Sequence, residues 1–165
     1  MESTPPRRSS RRYALAALLV LCSLLVYSYL GAAGDVTPAQ QELENQFQES
    51  MTGVVLQGHF TLNGREGLRE ETYTVEKVTK MAGDIWLFHA RIQYGEKDVT
   101  VPVPVKLLWA GDTPVVSLTD ATIPGLGTFT ARVLFYRDEY IGTWSSGTHG
   151  GQQFGRIVKI GSKTQ

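Results

Sequence analysis

The spacing of hydrophobic and polar positions changes twice along this chain. Tyr13 to Gly34 form 22 residues without a charged side chain, and about 20 apolar residues suffice to cross a bilayer core as a helix. The segment 35–51 is polar and rich in Gln and Glu. Leu43, Phe47 and Met51 recur there at four-residue spacing, with Thr37 placed as an N-cap and Pro38 in the first turn. It reads either as a short helix that plugs one end of the C-terminal domain or as a solvated linker. After Thr52 the period drops to two. Alternating or β-branched runs occupy 52–62, 70–79, 84–94, 98–109, 114–119, 127–136, 139–145 and 151–160, broken by turn residues such as Asn63-Gly64, Ala110-Gly111-Asp112 and Pro124-Gly125-Leu126-Gly127. The pattern predicts an all-β domain over 52–165, an antiparallel meander of about eight strands closed or nearly closed into a barrel.

The alternation also assigns faces. Val54, Leu56, Phe60 and Leu62 share one side of the first run, Tyr73 and Val75 of the second, and Trp86, Phe88, Ala90, Ile92 and Tyr94 of the third. Phe129, Ala131, Val133 and Phe135 repeat the arrangement. One apolar face per strand means one buried face per sheet, and closing the sheet removes its edges. Trp86, Phe88, Tyr94, Phe129, Phe135, Tyr140 and Trp144, with Trp109, supply many large rings to one interior. They either fill it as core or line an apolar pocket for a small molecule, and the seven first named are the candidate ligand-binding residues. Val101-Pro102-Val103-Pro104-Val105 removes two N–H groups from one flank of the fourth run. That flank cannot ladder normally, which predicts a gap or bent lip beside it, or else a local bulge.

Charge adds the compartment. The formal net charge is zero, yet Arg7, Arg8, Arg11 and Arg12 precede the apolar run with only Glu2 against them, and the chain from Gly34 onward carries −3. A basic segment at 1–12 ahead of an apolar segment at 13–34 predicts a cytoplasmic N-terminus, a membrane anchor and an exported C-terminal domain. Small residues at Gly31 and Ala33 leave a second reading open, a signal peptide cleaved after Ala33 and a secreted domain. An acidic exported domain argues against nucleic-acid binding. Cys22, within the apolar run, is the single cysteine, so the exported domain has no disulfide and no thiol chemistry.

Reactive groups are sparse in pattern. His59 and His89 fall on the polar side of their strands, and His149 falls in a glycine-rich turn. No short metal-ligand spacing joins them, so no metal is expected. Glu66, Glu70, Glu71, Glu76, Glu96, Asp98, Asp138 and Glu139 are expected as solvated charges at turns and strand ends. Ser145 and His149 offer hydroxyl and imidazole without a Gly-x-Ser-x-Gly elbow, and no phosphate-binding glycine loop opens a helix. No catalytic residue and no cofactor is therefore assigned.

Tyr140-Ile141-Gly142-Thr143-Trp144, followed by Gly147, Gly150, Gly151 and Phe154-Gly155-Arg156, resembles strand pairs of the calycin group, which comprises the lipocalins, fatty-acid-binding proteins and avidins. The resemblance implies a meander barrel of eight to ten strands around a small ligand. The Gly-x-Trp element stands here on the seventh strand, whereas lipocalins carry it on the first. The whole chain is also similar to membrane-anchored, exported bacterial proteins. Together these readings predict a non-enzymatic, membrane-tethered exported barrel that binds a small apolar ligand or an envelope protein. The alternatives are a packed structural module of a membrane complex and an enzyme built on Ser145 and His149.

Overall fold

The structure, a computed structural model, describes residues 36–161. The basic segment 1–12 and the apolar segment 13–34 lie outside the described residues, and among those described no helix is long and apolar enough to cross a membrane. Helix α1 spans Pro38–Met51. Eight strands come after it: β1 Val54–Leu62, β2 Arg65–Ala82, β3 Ile85–Tyr94, β4 Lys97–Ala110, β5 Thr113–Ile123, β6 Gly127–Tyr136, β7 Glu139–Ser146 and β8 His149–Lys159. Each pairs antiparallel with the next. β1 pairs with β8 from Val54↔Lys159 to Phe60↔Gln153, which closes the meander into a barrel.

Short turns hold this order in place. At Asn63-Gly64 the glycine takes φ 74°, the left-handed conformation that a tight hairpin between right-twisted strands requires. β2 is longer than the 70–79 expected from alternation. It begins at Arg65 and shifts register at two places, between Val75 and Lys77 and between Lys80 and Ala82. Such bulges increase the coiling that a small barrel demands. β5 also runs past its expected end, through a bulge between Leu118 and Ala121 where Asp120 has φ 49°. Side chains of β6 satisfy that bulge. The backbone N–H of Asp120 donates to Thr130 Oγ1 at 3.0 Å, and the Arg132 guanidinium donates to the Leu118 carbonyl and to Thr119 Oγ1.

Helix α1 stops one end of the barrel. Phe47 inserts among four rings, with centroid distances of 5.5 Å to Trp86, 6.1 Å to Trp109 and Phe135, and 6.2 Å to Phe88. Of the expected stripe, Phe47 and Met51 are buried, but Glu44 is buried in preference to Leu43. The inward face is thus 44–47–51, three and seven residues apart, still one side of a helix. Lys80 of β2 explains the rotation, since its ammonium pairs with Glu44 and lies 6.0 Å over the Trp86 ring. At the other end of the helix, Lys159 Nζ donates to the Glu49 and Thr52 carbonyls at 2.9 and 3.2 Å. A cation there complements the helix dipole.

The seam between β4 and β5 differs from the others. The β3–β4 ladder runs unbroken from Ile85↔Lys106 to Tyr94↔Lys97 and passes through His89↔Pro102 and Leu87↔Pro104. The β4–β5 ladder runs only from Lys106↔Ser117 to Ala110↔Thr113. An unbroken β3 ladder is compatible with two prolines only if their nitrogens face β5. The prolines therefore lie on the flank where pairing has stopped. Beyond Lys106 the wall between the two strands consists of side chains, with Val99, Val101, Leu118 and Leu126 packed against the core. The expected gap is present as a seam without a ladder.

Two measurements check this architecture. Phe47→Ala is expected to lower the unfolding free energy by about 3–5 kcal/mol in chemical denaturation, and a loss under about 1 kcal/mol would detach the helix from the core. In amide exchange, Val101 and Val103 are expected to be protected by β3 while Thr100, whose N–H faces the seam, exchanges fast. Equal protection of all three would mean that the seam is laddered.

Candidate ligand site inside the barrel

The barrel interior is not filled. A cavity of about 190 Å³ lies between the Phe47 plug and the far end, where the Phe60 ring meets Trp144 at 5.7 Å and Tyr94 at 6.2 Å, both edge-on. Phe88, Tyr94, Phe129, Phe135, Tyr140 and Trp144 border it. Trp86 does not. It is 1% exposed and packs edge-on against Phe47, so the ring expected to line a pocket belongs to the contact between helix and barrel. Val103, Val105, Leu118 and Leu126 supply the wall at the β4–β5 seam.

Three polar side chains also face the cavity, and one departs from the sequence expectation. Glu71 is expected as a solvated charge at a strand end. It lies within β2 and is only 4% exposed, on the same inward face as Tyr73 and Val75. Its Oε1 accepts a hydrogen bond from the Tyr140 hydroxyl at 2.9 Å and its Oε2 one from the Tyr73 hydroxyl at 2.8 Å. Gln153 Oε1 lies 3.4 Å from that same Tyr73 oxygen.

Tyr140 reaches Glu71 because two glycines stand between them. The inward row reads Tyr140 on β7, Gly155 on β8, Gly58 on β1 and Glu71 on β2, each the cross-strand partner of the next. A Cβ on Gly155 would sit 2.7 Å from Tyr140 Cε1, and one on Gly58 would collide with the Tyr140 hydroxyl and the Phe154 carbonyl. Glycine is required at both positions for close approach, so that the tyrosine can lie flat across two strands. Gly142, in the Gly-x-Trp element, abuts the Arg132 carbonyl and Val133 Cα in the same way.

Burial dominates the electrostatics of this row. It pushes the Glu71 carboxyl above its ordinary value, against the opposing pull of the Tyr73 and Tyr140 hydroxyls and of the His59 charge. Burial, followed by the charge and hydrogen bond of Glu71, pushes Tyr140 up as well. The hydroxyls therefore remain donors at any ordinary pH.

The remaining sequence candidates lie apart from the cavity. His59 is on the outer face, its ring 6.3 Å from Phe154, and His89 is likewise opposite the inward set of β3. Ser145 and His149 are exposed at the tip of the β7–β8 hairpin, and no hydrogen bond joins them among the described residues. Among the described residues no cluster of His, Cys, Asp and Glu is placed to hold a metal ion. No family model matches the chain, and no curated protein or solved structure matches it either. The topology alone, an eight-stranded antiparallel meander barrel, is consistent with a calycin-like fold.

Folded-state Glu71 holds its proton to a higher pH than in the unfolded chain, where the ordinary value is 4.5. Its contribution to stability is thus fully present below that value and is lost as pH rises through the raised folded value. Denaturation across this window is expected to show wild-type stability falling with pH and Glu71→Gln lacking that part of the slope. An unchanged slope in the variant would assign it to another group. Gly58→Ala, which displaces Tyr140, is expected to destabilise by about 1–3 kcal/mol in the same assay.

Proposed function

We propose that this chain is a non-enzymatic, membrane-tethered exported barrel of calycin type that binds a small apolar ligand in its interior. The supporting observation is the apolar cavity beside a β4–β5 seam whose backbone ladder stops at Lys106↔Ser117. Well-packed cores leave few voids larger than a water molecule, and this interior keeps a large one between two aromatic clusters. Its size restricts the ligand. About 150 Å³ of dry apolar space accepts benzene, whereas drug-sized ligands occupy roughly 300–1,000 Å³. A volume of about 190 Å³ suits a single ring or a short chain. The unladdered stretch of the β4–β5 seam beyond Lys106 is the route by which such a molecule enters. The basic segment 1–12 and the apolar segment 13–34 support the tether, with the barrel on the outer side of the membrane.

A second reading is docking to an envelope protein. An outward row of cross-strand partners, Leu134, Ile141 and Phe154, leaves Ile141 58% and Phe154 38% exposed. An apolar strip on the outer wall favours contact with another surface.

Titration of the full-length chain with benzene, followed by methyl NMR, separates the two. Shifts confined to Val103, Val105, Leu118 and Val133 are expected, and Ala90→Phe, which places a ring in the cavity, is expected to abolish them. Absence of those shifts in the wild type would discard the ligand reading and leave docking.

A further inference from the structure

Large hydrophobic side chains that remain exposed are unevenly placed on this barrel. Phe47 marks the plugged end, because its ring neighbours Trp86, Trp109 and Phe135 stand beside the β2–β3, β4–β5 and β6–β7 hairpins. β8 ends there too, where the Ile160 N–H donates to the Gly53 carbonyl at 2.9 Å. Met81, Ile85, Leu108, Tyr136, Ile141 and Ile160 lie at or close to these strand ends, each 40–60% exposed. Among the described residues, Leu68 alone of the exposed large hydrophobics lies toward the far end, where the hairpins include Asn63-Gly64, Gly95-Glu96 and Gly147-Thr148.

Much of this collar is continuous. Leu108, Val115, Leu134 and Ile141 are successive cross-strand partners across β4, β5, β6 and β7, and all four lie opposite the inward set. With neighbouring strands about 4.8 Å apart, the row extends roughly 14 Å along the outer wall. Contiguous exposed apolar surface marks contact with a protein or a membrane. Charges of both signs are interspersed with it. Lys106 pairs with Asp84 at 2.9 Å, and Arg137 lies 5.2 Å over the Tyr136 ring beside exposed Asp138 and Glu139. No single-sign field draws this rim to an anionic surface, so its contact is an apolar one.

We propose that the plugged end of the barrel lies against a bilayer, with the collar seated in a neutral, zwitterionic lipid surface. The inference rests on residues 13–34 being a membrane anchor. Only residues 35–37 separate Gly34 from Pro38 of α1, at most about 14 Å of extended chain. α1 itself packs on the plugged end, with Phe47 among the rings and Glu44 paired to Lys80. A folded domain of about 100 residues has a radius of gyration of about 13 Å, too large to stand between that end and the membrane. The bilayer is the surface within reach. Tyr136 beneath Arg137 suits the headgroup layer, where amphipathic rings and snorkelling cations collect. Met81, Ile85 and Leu108 suit the acyl boundary below it. The contact gives the barrel an orientation, with the far-end hairpins directed away from the lipid.

The test places the full-length chain in phosphatidylcholine nanodiscs that carry a spin label on the upper acyl chain, and follows methyl resonances by NMR. Interfacial apolar side chains sit about 5–10 Å into the headgroup–acyl boundary, within range of that label. The methyls of Met81, Ile85, Leu108 and Ile141 are expected to lose about half of their intensity or more, while Leu68 keeps its own. The loss is expected to persist in high salt, since no charge attraction carries it. Ile85→Ser combined with Leu108→Ser is expected to reduce the loss at Met81 and Ile141 about twofold. The unfolding midpoint is expected to stay in place, because both side chains are exposed. The inference is overturned if the wild-type collar methyls keep their intensity, or if Leu68 loses as much as they do, readings that need no variant to fold. It also fails if the loss appears only when anionic lipid is added. Collar shifts that follow protein concentration rather than the label would assign the collar to a second copy of the chain and overturn it too. A chain that leaves the lipid on flotation would overturn the anchor itself, and the inference with it.

Discussion

An eight-stranded cylinder encloses an interior that its own inward side chains must fill, and the arrangement of this barrel depends on how that volume is shared out. At one end the chain does not rely on the strands at all. Helix α1 brings Phe47 into a collar of four rings, so an element made before the barrel in sequence completes its core. At the other end Phe60, Tyr94 and Trp144 meet edge-on, the geometry that aromatic quadrupoles favour. Between the clusters, Tyr140 lies over the space that Gly58 and Gly155 leave, while Ala90 and Ala131 contribute little bulk beside the cavity.

Glu71 is the cost of that arrangement and also what orders it. An ionised carboxylate in an apolar interior is strongly unfavourable unless its lone pairs are engaged. Tyr73 and Tyr140 engage both oxygens, and Tyr140 does so from across two strands only because the intervening positions lack a Cβ. Register is thereby tied to chemistry. A slip of one residue between β7 and β8 or between β8 and β1 would put a side chain beneath Tyr140 and leave Glu71 unpaired.

Most of the fold is legible from period alone. The eight runs, their turns and their apolar faces follow from strict alternation and from left-handed glycines at hairpin tips, and so do the inward rings, although Trp86 does not border the cavity. Period does not convey partnership across sequence distance. Trp86 alternates like its neighbours, and only the docking of α1 removes it from the cavity. Glu71 looks like part of a charged turn because Arg65 to Glu71 is rich in charge. Yet it stands at even spacing from Tyr73 and Val75, and that parity is the available signal. Glu44 replaces Leu43 on the helix face because Lys80, 36 residues away, offers it a counter-charge. The polar half of the site is hidden because composition outweighs parity where charge is dense.

The proline pair shows the same logic from the outside. An open strand edge inside a barrel invites pairing with another chain, a hazard that proteins suppress with proline. Pro102 and Pro104 withdraw the donors from the flank of β4 that faces β5, and the bulge of β5 turns its Leu118 carbonyl toward Arg132. Both edges of the seam are thus unsuited to accept a strand, while Val99, Val101, Leu118 and Leu126 keep it apolar. That stretch of wall resists backbone pairing and is held by side chains, while the ladders on either side do not depend on it. The β3–β4 ladder is unbroken beside it, and β5–β6 pairing continues on both sides of the bulge at Leu118–Ala121. The barrel thus keeps an unladdered stretch in its wall without offering a sheet edge to another chain.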